Sequence, residues 1–193
     1  MRLPVQRLAP ALTRGVQMHV RSTRPVVETI VHDLVGDESQ PGLLSGHIGV
    51  KAVALRSVDA GTVIFQETGE ISAEASMHSI QVGIDAHCAI NGEGRFTAHS
   101  FTPNCRINVV EMSSHPIDFV ALRPIAEGEA ISFDYSTTEW AMVAPFVDHE
   151  TGRECQGFKY LSEAEKLRNL RAGLVAPHVM RLWLEEAHAN SKR

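Results

Sequence analysis

Cysteine is scarce in this chain, and several other absences narrow what it can be. Its three cysteines, Cys88, Cys105 and Cys155, have no CxxC spacing and cannot all pair. A disulfide scaffold is not expected, and reduced thiols in an intracellular compartment are the simpler reading. No apolar run approaches the roughly 18 residues that a membrane-spanning helix needs, so no integral membrane protein of that kind is expected. His78, His87, His115, His178 and His188 lack HExxH or any equivalent ligand spacing and read as surface or structural residues. Tyrosine is limited to Tyr135 and Tyr160, so few rings are at hand to wall a pocket.

Acidic residues are missing from positions 1–27, which carry Arg2, Arg7, Arg14, Arg21 and Arg24 among Leu3, Val5, Leu8, Leu12 and Val16. Such an Arg-rich, acid-free start fits an organellar transit peptide or a disordered basic tail, and Pro4 and Pro10 weaken a helix there. The first reading places the protein in a mitochondrion or plastid, the second in cytoplasm or nucleus. Those five charges, set against a total of −5, leave −10 on residues 28–193. An acidic body argues against direct nucleic-acid binding, which depends on cations matched to phosphates, and suits a basic, lysine-bearing partner.

With 193 residues the chain fits one domain with appendages. Residues 28–44, ending in a Gly- and Pro-containing stretch, read as a linker. Val50–Leu55, Thr62–Gln66, Ser79–Val82, Arg106–Glu111, Asp118–Leu122 and Ala130–Phe133 have the short apolar or alternating pattern of strands. After Phe158 the pattern becomes helical. Ser162 with Glu165 forms a capping box, Leu167, Leu170 and Leu174 follow at helical spacing, Gly173 stops the helix and Pro177 starts another. An α+β, mainly β domain of small sheets with a C-terminal helical pair is the expected architecture.

Two segments carry the most specific information. Arg95-Phe96-Thr97-Ala98-His99-Ser100-Phe101-Thr102-Pro103-Asn104-Cys105 is followed about thirty residues on by Glu127-Gly128-Glu129-Ala130-Ile131-Ser132-Phe133-Asp134-Tyr135. Together they resemble, in order and spacing, the R-F-x-N-H-S-C-x-P-N and G-E-E-L-x-x-x-Y signatures of SET-domain protein-lysine methyltransferases. Upstream, Ser45-Gly46-His47-Ile48-Gly49-Val50 resembles that family's cofactor-facing glycine loop, with His47 in place of the first glycine. Ala54–Gly61 is similar to its A-x-R-x-I-x-x-G. The resemblance spans about 45–161 and implies a SET domain at 45–140, a post-SET-like segment at 141–161 and a helical tail at 162–193.

The resemblance implies a β-clip fold whose two signatures meet in a pseudoknot. It implies S-adenosylmethionine (AdoMet) as cofactor and a lysine-bearing protein or peptide as substrate. Tyr135 would be the catalytic residue and would also line the cofactor site. His47, Ile48, Gly49, Arg95, Ala98, His99 and Phe158 are the other implied cofactor-binding positions, with Phe158 available to stack on adenine. Arg95, Ser100 and Asn104 would tie the knot through buried hydrogen bonds. Ala98 stands where the family writes Asn, which removes a side-chain amide worth roughly 1.5–3 kcal/mol against a charged group. The post-SET segment keeps only Cys155; Phe101 replaces the signature cysteine, and Asp148 and Glu150 fall near the CxC positions. A four-thiolate zinc site is thereby excluded, and no zinc is expected, although a mixed set of Asp148, His149, Glu150 and Cys155 is conceivable. The alternative to an enzyme is a non-catalytic SET-like interaction module.

Overall fold

Short β-branched runs broken by glycine and proline make short strands, and twelve appear among the residues that the computed structural model describes, 27–32, 49–110 and 116–192. They are β1 (Val27–His32), β2 (Gly49–Ala54), β3 (Val63–Glu67), β4 (Gly69–Ser72), β5 (Ser79–Gly83) and β6 (Ala86–Ile90). Then follow β7 (Ala98–His99), β8 (Cys105–Val109), β9 (Ile117–Ala121), β10 (Ser132–Phe133), β11 (Phe146–Val147) and β12 (Glu154–Cys155). Two helices close the chain, α1 (Glu163–Arg171) and α2 (Pro177–Ser191). The fold is α+β and mainly β, as the patterning indicated.

Five small sheets divide the strands: β1-β2, β4-β6-β5, β3-β9-β8, β7-β10 and β11-β12. The β7-β10 pair is parallel and the other pairings are antiparallel. A core of side chains from β2, β3, β5, β6, β8 and β9 joins the sheets, with Phe119, Ile117, Ile125 and Ile131 fully enclosed. A second, smaller core holds Phe158, Ala176 and Val179, with Trp140, Leu161 and Trp183 packed against it. Hydrophobic burial at this density outweighs the short length of the individual strands.

All six expected strands are present, with their ends displaced by one or two residues. Of the others, β7, β11 and β12 have two residues each, too short for a period to register. β1 starts at the last residue of the basic segment, runs into the stretch read as a linker and pairs along its whole length with β2. The basic segment before it, the rest of that linker and the glycine loop through Ile48 lie outside the described residues.

At α1 the capping box is present, with the Ser162 hydroxyl accepting from Glu165 N–H and the Glu165 carboxylate accepting from Ser162 N–H. Gly173 takes φ +66° just past the helix end, and Pro177 opens α2. The face that α1 buries is not the leucine stripe. Leu167 and Leu170 are exposed, while Lys166 and Asn169 are buried. Asn169 Nδ2 donates to Asp134 Oδ2 at 3.3 Å, so a polar contact to the body sets the helix's rotation.

Candidate active site at the crossing of the two signature segments

The two signatures meet as β7 and β10, with Ala98 beside Ser132 and His99 beside Phe133. Ala98 N–H donates to Ile131 C=O at 3.0 Å and Ser100 N–H to Phe133 C=O at 3.1 Å. Main-chain groups alternate sides along a strand, so the N–H and C=O of His99 lie on the edge of β7 away from β10. Asn104, 2% exposed, ties the crossing from behind. Its Nδ2 donates to Ala130 C=O (2.7 Å) and Glu129 Oε1 (3.0 Å), and its Oδ1 accepts from Ser132 N–H (2.8 Å). Hydrogen bonds from Arg123 first, and then Asn104, hold the Glu129 carboxyl down at about 2, so it stays ionised.

Asp134 turns the chain after β10. Its Oδ1 accepts from the Ser136 N–H (3.0 Å) and hydroxyl (2.6 Å), which caps the 3₁₀ turn Tyr135–Thr137. That turn points Tyr135 back at β7. The Tyr135 hydroxyl donates to Thr97 C=O at 2.6 Å, and its N–H donates to His99 Nδ1 at 3.3 Å. Phe133, His99 and Phe146 surround its ring, with centroids 4.6, 5.1 and 6.0 Å away. Burial pushes the phenol's pKa up, so the group is a neutral donor at working pH and not a base.

A strap formed by β11 and β12 lies over this point. Phe146 meets the His99 ring edge-on at 5.3 Å, as Phe101 does at 4.5 Å. Arg153 stacks its guanidinium 3.9 Å from the Phe101 ring centroid and pairs with Glu165 at the start of α1. Gly157 carries the strap into the second core with φ +109°, and a Cβ there would sit 2.8 Å from Trp140 O. Burial raises the Cys155 thiol to about 12, so it remains protonated. A cavity of about 140 Å³ opens beside it, lined by Phe101, Ser136, Cys155, Gly157, Tyr160 and Leu161.

The crossing thus brings Ala98, His99 and Tyr135 together, and Gly49 opens β2. Arg95 is exposed, with its guanidinium 4.4 Å from the Phe96 ring centroid, and does not tie the knot. Phe158 is 0% exposed and sits in the second core, with Trp140 stacked on it and Trp183 against its edge. Both corrections have one cause: these side chains found aromatic partners next to them or in the helical tail. His47 and Ile48 lie outside the described residues. Asp148, His149, Glu150 and Cys155 do not converge, and among the described residues no group of three or more His, Cys, Asp or Glu side chains is arranged to hold a metal ion.

Residues that the sequence did not single out also shape the site. Glu67 Oε1 accepts from Gly94 N–H at 2.7 Å and so fixes the turn that feeds β7, where a Cβ on Gly94 would meet Glu67 Cγ at 2.8 Å. Glu139 Oε1 accepts from Gln81 N–H (2.7 Å), while Gln81 Oε1 accepts from Trp140 N–H (2.9 Å). An isolated acid or amide inside an apolar strand was the available signal for Glu67 and Gln81.

An α+β domain of small sheets, in which two polar signature segments cross at one tyrosine, is the architecture of a SET domain. The SET domain family matches residues 49–136. The chain is 26% identical over 129 residues to Methyltransferase flvH of Aspergillus flavus, which covers 66% of this chain and 71% of that protein. Among solved structures, a chain from "Crystal structure of an active polycomb repressive complex 2 in the stimulated state" is 17% identical, with a TM-score of 0.41 over 46% of this chain and 14% of that one. Residues 49–136 thus carry a SET-domain match, and the chain is similar to a methyltransferase.

Proposed function

We propose that the protein is an AdoMet-dependent protein-lysine N-methyltransferase with Tyr135 as its catalytic residue. The observation that carries this reading is the enclosure of the Tyr135 phenol, with its hydroxyl on Thr97 C=O at 2.6 Å and its ring walled by Phe133 and Phe146. Lysine has a pKa of about 10.4 and must lose a proton before it can act as a nucleophile. Aromatic walls lower that pKa by penalising the ammonium form. A neutral phenol and the Thr97 carbonyl then orient the amine, and positioning of this kind is what a displacement at carbon requires.

The residues present fit AdoMet at the main chain. The outer edge of His99 offers a donor and an acceptor to a purine. When bound, AdoMet supplies an electrophilic methyl group on a sulfonium. Gly49, His47 and Ile48 are proposed as further cofactor-binding residues. Phe158 is withdrawn from this role because it is fully buried, with Trp140 stacked on it.

A second reading, a non-catalytic SET-like module, draws on Ala98 and on the engagement of Phe158 elsewhere. Methyl transfer from labelled AdoMet to lysine-bearing peptides separates the two. Tyr135→Phe is expected to reduce turnover about a hundredfold, and Ala98→Asn to tighten AdoMet binding about tenfold. Absence of AdoMet binding by calorimetry at millimolar ligand, in both wild type and Ala98→Asn, overturns the enzyme reading.

A further inference from the structure

The His99 side chain is where the strap meets the turn that carries Tyr135. Tyr135 N–H points at Nδ1, so that nitrogen holds a lone pair and the ring's proton resides on Nε2. Cys155 Sγ lies on the same side, 3.8 Å from Nδ1, with Met142 Sδ 3.5 Å from the thiol as its other neighbour. Nε2 is buried and has no hydrogen-bond partner. The nearest acceptor is Asp148 Oδ2 at 3.7 Å, and the two side chains are only 5% and 6% exposed. Asp148 cannot swing freely, because its Oδ1 accepts from Glu150 N–H (2.8 Å) and Thr151 N–H (2.9 Å). The strap's hairpin therefore holds Oδ2 against the imidazole edge.

Burial lowers the His99 pKa against the opposing pull of Asp134, Asp148 and the more distant Glu150, with Arg153 acting alongside burial. A neutral ring with one N–H has a definite direction. A carboxylate on the N–H side fixes that direction.

We propose that Asp148 is a positioning residue: its carboxylate orients the His99 imidazole, whose Nδ1 holds the backbone of Tyr135 and so the placement of its hydroxyl. The inference rests on the reading of Tyr135 as the residue that orients the methyl acceptor. It adds a route, without a metal, by which the strap's seating reaches the reacting groups. The aspartate that falls near a ligand position in the sequence acts here on a ring nitrogen instead.

Asp148→Asn tests it, since asparagine keeps Oδ1 for the turn but presents an amide to Nε2–H. With the full chain and a lysine peptide, kcat is expected to fall about tenfold while the peptide KM stays within about twofold. Glu150→Gln, an exposed neighbour on the same hairpin, is expected to leave both unchanged. Nitrogen-15 NMR of the protein without ligand supplies a readout independent of turnover: the Tyr135 amide resonance should move in Asp148→Asn, and wild-type His99 should carry its proton on Nε2. A wild-type proton on Nδ1, or an unmoved Tyr135 amide in a folded Asp148→Asn, overturns the proposal even if the protein methylates lysine. The tautomer measurement decides alone if the variant does not fold. A protein that shows both NMR signatures but no turnover overturns the methyltransferase reading and leaves the coupling standing.

Discussion

The crossing of β7 with β10 and the strap that covers it are held by different kinds of force. At the crossing, main-chain hydrogen bonds and one enclosed amide do the holding. In the strap two residue pairs form β11-β12, and the contacts that seat it on the crossing are ring edges, one stacked guanidinium and paired charges. The first kind demands particular polar residues at particular positions, because a buried donor or acceptor left alone costs about 1–3 kcal/mol. The second accepts many substitutes, since each contact is worth about 1 kcal/mol or less at the surface.

Removing Asn104 should produce the largest effect. Asn104→Ala leaves the Ser132 N–H and the Ala130 C=O without the partner they now share, and it frees Glu129 from one of its donors. A loss of about 3 kcal/mol or more in urea unfolding is expected. A loss below about 1 kcal/mol would mean that the crossing does not depend on its amide, and the contrast with the strap would collapse.

A smaller effect, dependent on pH, is expected where the two regions join. Glu139 sits between the β5-β6 hairpin and the strap: its N–H donates to Tyr135 C=O, its own C=O accepts from Phe158 N–H, and its carboxyl takes the Gln81 N–H. Burial raises its pKa from 4.5 to about 7, while the same cause lowers that of His87, whose Nδ1 lies 4.0 Å away. Below about pH 7 the Glu139 side of this contact is therefore mostly a carboxylic acid, and the contact is not an ion pair. The folded chain keeps the Glu139 proton after the unfolded chain has released it. The stability this confers is complete below about pH 4.5 and is lost as pH rises through about 7, a difference of order 3 kcal/mol. Glu139→Gln keeps the acceptor for Gln81 and cannot ionise. The stability of wild type relative to this variant should thus fall between pH 5 and pH 8; parallel pH profiles would show that the carboxyl is not perturbed.

The same distinction explains what could be read in advance. Tyr135, His99 and Asn104 were legible because their contacts depend on residue type and spacing along two continuous segments. Six of the twelve described strands and both helix starts were legible through period and capping. The packing of Phe158 in the second core was not legible, because an aromatic ring in a sequence does not state which apolar surface it will meet, and α2 supplied Trp183. Arg95 failed for a related reason: the neighbouring Phe96 ring gave its charge a place at the surface. The leucines of α1 misled because one hydrogen bond, from Asn169 to Asp134, outweighed the apolar stripe in setting the buried face.

Arg153 offers the smallest and most local test. Its guanidinium reaches from the strap to the Phe101 ring and to Glu165. The side chain is 39% exposed, so screening by solvent limits its worth, and Arg153→Ala should cost only about 1 kcal/mol. Its consequence should be uneven. Hydrogen exchange should quicken at Phe146–Cys155 and stay unchanged at Ala98–His99 and Ser132–Phe133, because the main-chain hydrogen bonds of the crossing do not involve Arg153. A chelator should leave the wild-type melting temperature where it was, since the contacts that seat the strap are aromatic and ionic. Equal acceleration of exchange in both regions would show that crossing and strap open as one unit, and the division between them would have to be abandoned.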